Sequence, residues 1–338
     1  MQPPTYAAGV RRLFEDLPAA VTQWVAGQLG GPVEEVRNVH GGFSPGVAAV
    51  VRSATGRALF VKAVGSHVNA GSVTFYRREG EQSARLPDLD GIVRPVAWTE
   101  MDVADEAYVV LAFPALEGAP PPHPWRPDHL EAALDALQAL SEKLTPFPGG
   151  DLAVPPRLPQ FFGSWERIVA DTDDPWHDVA WVRDRRSALV AAEAQLRDEL
   201  AGDTLSHTDL RADNLVISAG RVWFVDWAHA ENAARWADGA LLMADVIASR
   251  ADLADGGEVD VTATLHGHRY FSGVSSEAVW RLMVGLAGAL HEFSREPSPP
   301  GLPTIRGWQH STSVTLLGWC QREAPVDWSR PQPTRMTQ

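Results

Sequence analysis

Between Leu205 and Asp226 the chain reads Leu-Ser-His-Thr-Asp-Leu-Arg-Ala-Asp-Asn-Leu-Val-Ile, then a short break, then Val-Trp-Phe-Val-Asp. Two short apolar runs this close together, parted by Ser218-Ala-Gly-Arg221, form an antiparallel pair, because each needs the other to satisfy its backbone. Pairing brings His207, Asp209, Asn214 and Asp226 onto two facing strand-and-loop segments. One carboxylate can then take a proton from a hydroxyl while an amide oxygen and a second carboxylate hold a divalent cation, which is what phosphoryl transfer requires. An Asn oxygen and a carboxylate suit magnesium, a hard cation that prefers oxygen ligands.

The rest of the chain has room for the other parts. With 338 residues, 45% of them hydrophobic and 21% charged, it has the make-up of a soluble globular protein large enough for two lobes. No apolar run is long enough for a membrane span, and Met1 to Pro18 has Arg11, Arg12, Glu15 and Asp16 but no apolar signal core, so a cytoplasmic location is expected. The lone Cys320 has no internal disulfide partner and is expected to be a buried small hydrophobe. A net charge of −14 disfavours nucleic acid and anionic membranes as partners and favours small or cationic ones. The charge is uneven: residues 1–117 balance at −3, so the remaining 221 residues carry −11.

Taken in order, the pattern predicts a helix over 19–29, strands over 33–39, 47–52 and 58–64, and a helix over 73–86 stopped by Pro87. Two further strands, 92–98 and 108–113, are expected on either side of an acidic turn from Glu100 to Glu106. The Pro-dense stretch Gly118–Pro124 reads as a semi-rigid connection, placing an N-terminal lobe at 1–117 with its hinge at about 112–118, and a second lobe at 119–338. Helical spacing over 128–144, 178–200, 236–249, 275–294 and 307–323 makes that second lobe mainly helical. Ten of the thirteen tryptophans lie after residue 150, most of them core, with one or two available to line an acceptor pocket.

Three features in the first lobe supply what a phosphoryl donor needs. Lys62 sits inside the apolar strand Leu59–Val64 of a chain with only two lysines against twenty-seven arginines. Its ammonium can bind phosphate oxygens once a helix carboxylate orients it, and Glu79 is the natural partner, with Glu81 pointing to the other side of the helix. Gly41-Gly42-Phe43-Ser44-Pro45-Gly46 joins two strands, and Gly42 and Ser44 can bring backbone amides close to phosphate. Leading into the hinge, Ala112, Phe113, Pro114 and Ala115 can offer backbone groups to an adenine edge, with Leu111 behind it.

This order of glycine loop, strand lysine, helix glutamate, hinge, His-x-Asp-x-x-x-x-Asn and strand-end Asp resembles the aminoglycoside phosphotransferase and choline kinase family over roughly residues 30–325. The His207–Asn214 motif, Asp226-Trp-Ala and Trp236-Ala-Asp238 carry the resemblance. It implies an α+β, two-lobed protein-kinase-like fold, with a five-stranded antiparallel sheet plus a helix in the first lobe and a mainly helical second lobe. It also implies that Asp209 is the catalytic base, with His207 and Asp238 supporting its loop, that Asn214 and Asp226 hold Mg2+, and that Lys62 and Glu79 form an ion pair. The cofactors expected are ATP or GTP with Mg2+. Trp227-Ala228 replaces the Phe-Gly of protein kinases, and no Ala-Pro-Glu element follows, which favours small-molecule acceptors over proteins. The expected activity is phosphate transfer to a hydroxyl of an antibiotic, or alternatively of a metabolite such as a sugar, amino alcohol or nucleoside-type compound. A nucleotide-binding pseudoenzyme is the third reading. Asp171, Asp173, Asp174 and Glu292 are candidate contacts for a cationic acceptor, though each reads first as a solvated charge. A monomer or homodimer is expected.

Overall fold

The structure is a computed structural model that describes residues 9–40, 42–147, 158, 161–250 and 259–325. Helix α1 (Ala19–Leu29) ends at Gly30, whose left-handed backbone closes it. Strands β1 (Glu35–Asn38), β2 (Val47–Arg52) and β3 (Ala58–Gly65) follow as an antiparallel meander, as expected. Helix α2 (Ala70–Ser83) starts earlier than the apolar spacing suggested, because the Asn69 side chain accepts the Ser72 amide proton at 2.8 Å and caps it. With β4 (Ala97–Val103) and β5 (Glu106–Pro114) the sheet is complete in the order β1-β2-β3-β5-β4, all antiparallel.

The fourth strand corrects the sequence expectation. It lies at 97–103, not 92–98, and the turn is only Ala104-Asp105, both at positive φ (49° and 64°), as a two-residue hairpin demands. Glu100 is a strand residue whose carboxylate receives two hydrogen bonds from Arg77 of α2, at 2.7 and 2.9 Å. Alternation along β4 set these acids on one face of the strand, and clustering made them look like a loop.

Each sheet face has its own core. Val47, Ala49, Val51, Leu59, Val61, Val110 and Ala112 pack on α1, while Val64, Val109, Leu111 and Phe113 pack with Val73 and Tyr76 of α2. Gly80 lets α2 lie this close: a Cβ there would fall 2.4 Å from the Trp98 indole.

The second lobe contains α3 (Pro127–Lys143), α4 (Ser164–Ala170), α5 (Ala180–Arg183), α6 (Arg186–Glu199), α7 (Ala237–Ala248), α8 (Val261–Gly267), α9 (Ser276–Ser294) and α10 (Ile305–Arg322). The single helix expected over 178–200 is broken into α5 and α6 at Arg185, which leaves the helical region (φ −131°, ψ 14°). Val182, Leu189 and Leu196 are all buried and recur every seven residues, so the helical spacing survives across the break and hides it. Short pairs β6–β9 (Thr204–Ser206, Glu231–Ala233) and β7–β8 (Leu215–Ser218, Arg221–Phe224) complete the lobe. One core cluster runs from Trp125 through α3, α6, α7 and α9 to Cys320, which is fully buried as expected. Among the described residues no helix is long and apolar enough to cross a membrane.

Candidate active site

Lys62 lies on a central strand, opposite Leu111 of β5 and Ala48 of β2, and is 8% exposed. Its Nζ donates to Glu79 Oε2 at 2.6 Å and lies 3.1 Å from Asp226 Oδ1. Glu79 is 2% exposed, whereas Glu81 faces solvent. The Tyr76 ring lies 4.9 Å from the ammonium, and its hydroxyl donates to Ser44 Oγ at 2.9 Å, joining the lysine to the glycine-rich loop. Burial opposes the ammonium charge, but Asp226 and Glu79 together outweigh it and hold Lys62 above its ordinary value. Burial, reinforced by the Asp226 carboxylate, pushes Glu79 up to about 7 against the pull of Lys62. Asp226 goes the other way: burial would raise it, yet attraction to Lys62 leaves it below its ordinary value.

The loop 207–214 is suspended from buried carboxylates. Asp238, at the start of α7, accepts the His207 amide at 2.7 Å and the Thr208 amide at 2.8 Å. This pins Thr208 at φ 59° and turns the chain toward Asp209. The His207 ring is 1% exposed; Nε2 donates to the Val225 carbonyl at 2.8 Å and Nδ1 accepts the Asp209 amide at 3.3 Å. Both ring nitrogens are thus committed to backbone groups on either side of the loop.

Asn214 spends its amide nitrogen on the Asp209 carbonyl (2.7 Å) and carboxylate (3.1 Å), which turns its oxygen elsewhere. The Asp226 side chain, on a residue at φ 65°, keeps 43% of its surface exposed. Glu79 Oε1 is buried without a hydrogen-bond partner. An amide oxygen turned away from Asp209 and an open carboxylate are both hard oxygen donors, the kind that fits a magnesium ion.

Four partners of this site were not anticipated. Arg211 binds the Asp209 carboxylate and Asp213 (3.1 Å). Burial raises the Asp213 pKa above the usual carboxylate range even so. Asp245 accepts the Ala212 amide at 3.0 Å and the Trp125 indole N–H at 2.8 Å, tying the Pro-rich connection to the loop. Residues 9–12 run along the glycine-rich loop: the Gly9 amide donates to the Gly42 carbonyl (3.1 Å), Arg12 to Pro45 (3.2 Å), and Arg11 Nη1 to Gly46 (3.0 Å). No motif marks these residues, since backbone partners leave no residue signature.

Other expected residues divide. Leu111 and Phe113 share the sheet face of Lys62, but the Ala112 side chain packs on the opposite side, and its carbonyl accepts the Val96 amide at 2.7 Å. β5 continues to Pro114, so the hinge backbone available to a base begins beyond the strand. Gly41 and Trp328 lie outside the described residues. Asp174 is no solvated charge: at 2% exposure it binds Arg295 and His291, while Asp171 pairs with Arg295 (3.3 Å) and Glu292 with Arg167.

The sequence pattern described as "Phosphotransferase enzyme family" matches residues 35–271, well over half of the chain and including every residue from Lys62 to Asp238 discussed above. The chain belongs to this phosphotransferase family. Three solved structures illustrate the shared fold. The choline kinase of Streptococcus pneumoniae is 16% identical with a TM-score of 0.56, over 89% of this chain and 98% of that one. A structure named for the GDP and kanamycin complex of APH(2")-IIia is 13% identical at TM-score 0.55, over 90% and 98%. A thermostable mutant of aminoglycoside phosphotransferase APH(4)-Ia, with ADP and hygromycin B, is 15% identical at TM-score 0.51, over 91% and 100%. At these identities the likeness establishes the protein-kinase-like fold. No curated protein matches the chain by sequence. As a member of this phosphotransferase family, the chain is a small-molecule kinase.

Proposed function

We propose that this phosphotransferase moves the γ-phosphate of ATP or GTP to a hydroxyl of a small molecule, with Mg2+, and that the acceptor is an antibiotic. One observation carries the nucleotide and metal reading. Lys62, nearly buried, is held between Glu79 of the first lobe (2.6 Å) and Asp226 of the second (3.1 Å), so a fixed cation stands where the two lobes meet. A fixed ammonium beside an open carboxylate is what a metal-bound triphosphate needs. Asn214 and Asp226 would hold the metal, which supplies charge neutralisation on the phosphates. Gly42 and Ser44 would cradle those phosphates, with Leu111 and Phe113 behind the base.

Asp209 acts as base. Its carboxylate takes the acceptor's hydroxyl proton as the new oxygen–phosphorus bond forms and the bond to the leaving nucleoside diphosphate breaks. His207 and Asp238 fix where that carboxylate sits. The boundary between lobes falls at residues 117–119, and the protein works in the cytoplasm.

The antibiotic reading is supported by the kanamycin and hygromycin B in structures of the same fold, and the ADP and GDP there support either nucleotide. The choline kinase favours the second reading, a metabolite acceptor. Transfer of labelled phosphate from ATP or GTP across an antibiotic and metabolite panel, with and without Mg2+, tests the proposal. Metal-dependent transfer that Asp209→Ala removes supports it; tight nucleotide binding with no transfer to any acceptor would point to a pseudoenzyme.

A further inference from the structure

Of the second-lobe tryptophans, Trp165, Trp176, Trp227, Trp280 and Trp319 are core residues, each 5% exposed or less. Trp308, in the first turns of α10, packs against the same core but is only partly buried, and it also reaches the first lobe. Its ring meets Phe43 of the glycine-rich loop edge-on, with centroids 4.8 Å apart. The guanidinium of Arg211 lies 4.3 Å from the Phe43 centroid and 5.8 Å from that of Trp308, and the same guanidinium binds the Asp209 carboxylate. Beside the proposed base there is thus a guanidinium faced by two rings, one from each lobe.

Hydrogen bonds tie together the segments next to those rings. The Val10 amide donates to the Gly301 carbonyl at 2.9 Å, and Asn69 Nδ2 to the Pro300 carbonyl at 2.8 Å. Gly301, at φ 76°, approaches Pro45 so closely that a Cβ would fall 2.5 Å from the proline's own Cβ. The loop ahead of α10 is therefore clasped to the glycine-rich loop.

Three of the four carboxylates expected to meet a cationic acceptor, Asp171, Asp174 and Glu292, are meanwhile engaged. Asp171 and Asp174 share Arg295, Glu292 pairs with Arg167, and Asp209 and Asp213 share Arg211. An incoming ammonium would meet Arg211 with like charge, whereas a flat π face stacks favourably on rings and guanidinium alike.

We propose that Trp308 and Phe43 are acceptor-binding residues, and that the acceptor is a neutral hydroxyl compound with a flat aromatic or unsaturated face laid against these rings and Arg211. This rests on the assignment of Asp209 as the base. The test is calorimetric binding to the full chain with Mg2+ and AMP-PNP present, using a panel of neutral aryl-bearing alcohols that includes chloramphenicol, and kanamycin as a polycation without a flat face. At least one aryl alcohol should bind more tightly than kanamycin, and Trp308→Ala and Phe43→Ala should each weaken it by about tenfold or more. Trp308→Phe should recover most of that loss, AMP-PNP affinity should stay within about twofold in both Trp308 variants, and Phe43→Ala should keep the native urea midpoint, which shows that the variants fold. Tighter binding of kanamycin, no binding by the aryl panel, or unchanged affinity in Trp308→Ala overturns the proposal. The kinase reading fails separately: a bound alcohol that never gains phosphate, by mass spectrometry, removes the base assignment and leaves the binding assignment standing.

Discussion

Single atoms separate the roles of the acidic residues. Asp209 and Asp226 are both carboxylates near cations, but Asp209 is held by Arg211 and Asn214 within its own loop, whereas Asp226 faces Lys62 across the lobes. Asp209→Ala should lower turnover by about 10²–10⁴-fold, the range for removing a general base, while nucleotide affinity measured by calorimetry stays close to native. Asp226→Ala should instead weaken nucleotide binding and shift the Mg2+ dependence of turnover to higher metal. An unchanged Mg2+ titration would sink the assignment of Asp226 as a ligand. Residue type and spacing singled out Lys62, Glu79, Asp209, Asn214 and Asp226, and the fold links Lys62 with Glu79 and Asp226, and Asn214 with Asp209. They could not single out Arg211: in a chain with twenty-seven arginines its identity carries no signal, and only the folded loop shows what it touches.

Elements are fixed to one another by buried polar residues as much as by the apolar core. Asp238 at the head of α7 holds two amides of the 207–214 loop, and burial lifts its pKa above the usual carboxylate range despite the nearby His207. Asp238→Ala leaves both amides unsatisfied, and at about 1–3 kcal/mol per buried orphan the variant should unfold at clearly lower urea. An unmoved urea midpoint would mean water replaces the carboxylate. Asp245 does the same for the Pro-rich connection through Trp125, so Trp125→Phe should reduce turnover more than nucleotide affinity. Helices with one apolar face, such as α1, α3, α9 and α10, were legible within a few residues. β4 and the α5–α6 break were not, since strand alternation and heptad spacing each fit two local structures.

At the scale of the whole molecule, a buried histidine sets an acid limit. His291 is 2% exposed, stacked 3.9 Å from Trp176, with Nε2 at 2.9 Å from Asp174 and Nδ1 unpartnered. Burial lowers its pKa below the ordinary 6.5, with Arg295 and His310 adding to the effect and Asp174 opposing it. Below pH 6.5 the unfolded chain therefore takes up this proton before the folded one does. The stability present above that pH is lost as pH falls through the folded value, by at most about 1.4 kcal/mol per pH unit for one proton. Urea midpoints at pH 7.5, 6.5 and 5.5 should show this decline, and His291→Gln should flatten it; an equal slope in the variant would place the proton elsewhere. Gly301→Ala should cost about 1–3 kcal/mol by forcing a Cβ at positive φ. If the clasp orders the glycine-rich loop, the same change should raise the nucleotide KM.

By itself, the sequence determined the two-lobed plan, the longer helices and the Lys62–Glu79 pair, because periodicity and side-chain chemistry are local properties written in residue identity. The tertiary structure decided that both ring nitrogens of His207 are hydrogen-bonded to the backbone and that Asp174 is buried. It also brought residues 9–12, Pro300 and Gly301 together over the glycine-rich loop. Those contacts end on backbone carbonyls, which every residue carries, and the longest, from the Asn69 side-chain amide to the Pro300 carbonyl, joins positions 231 apart, so nothing in the residues themselves announces them.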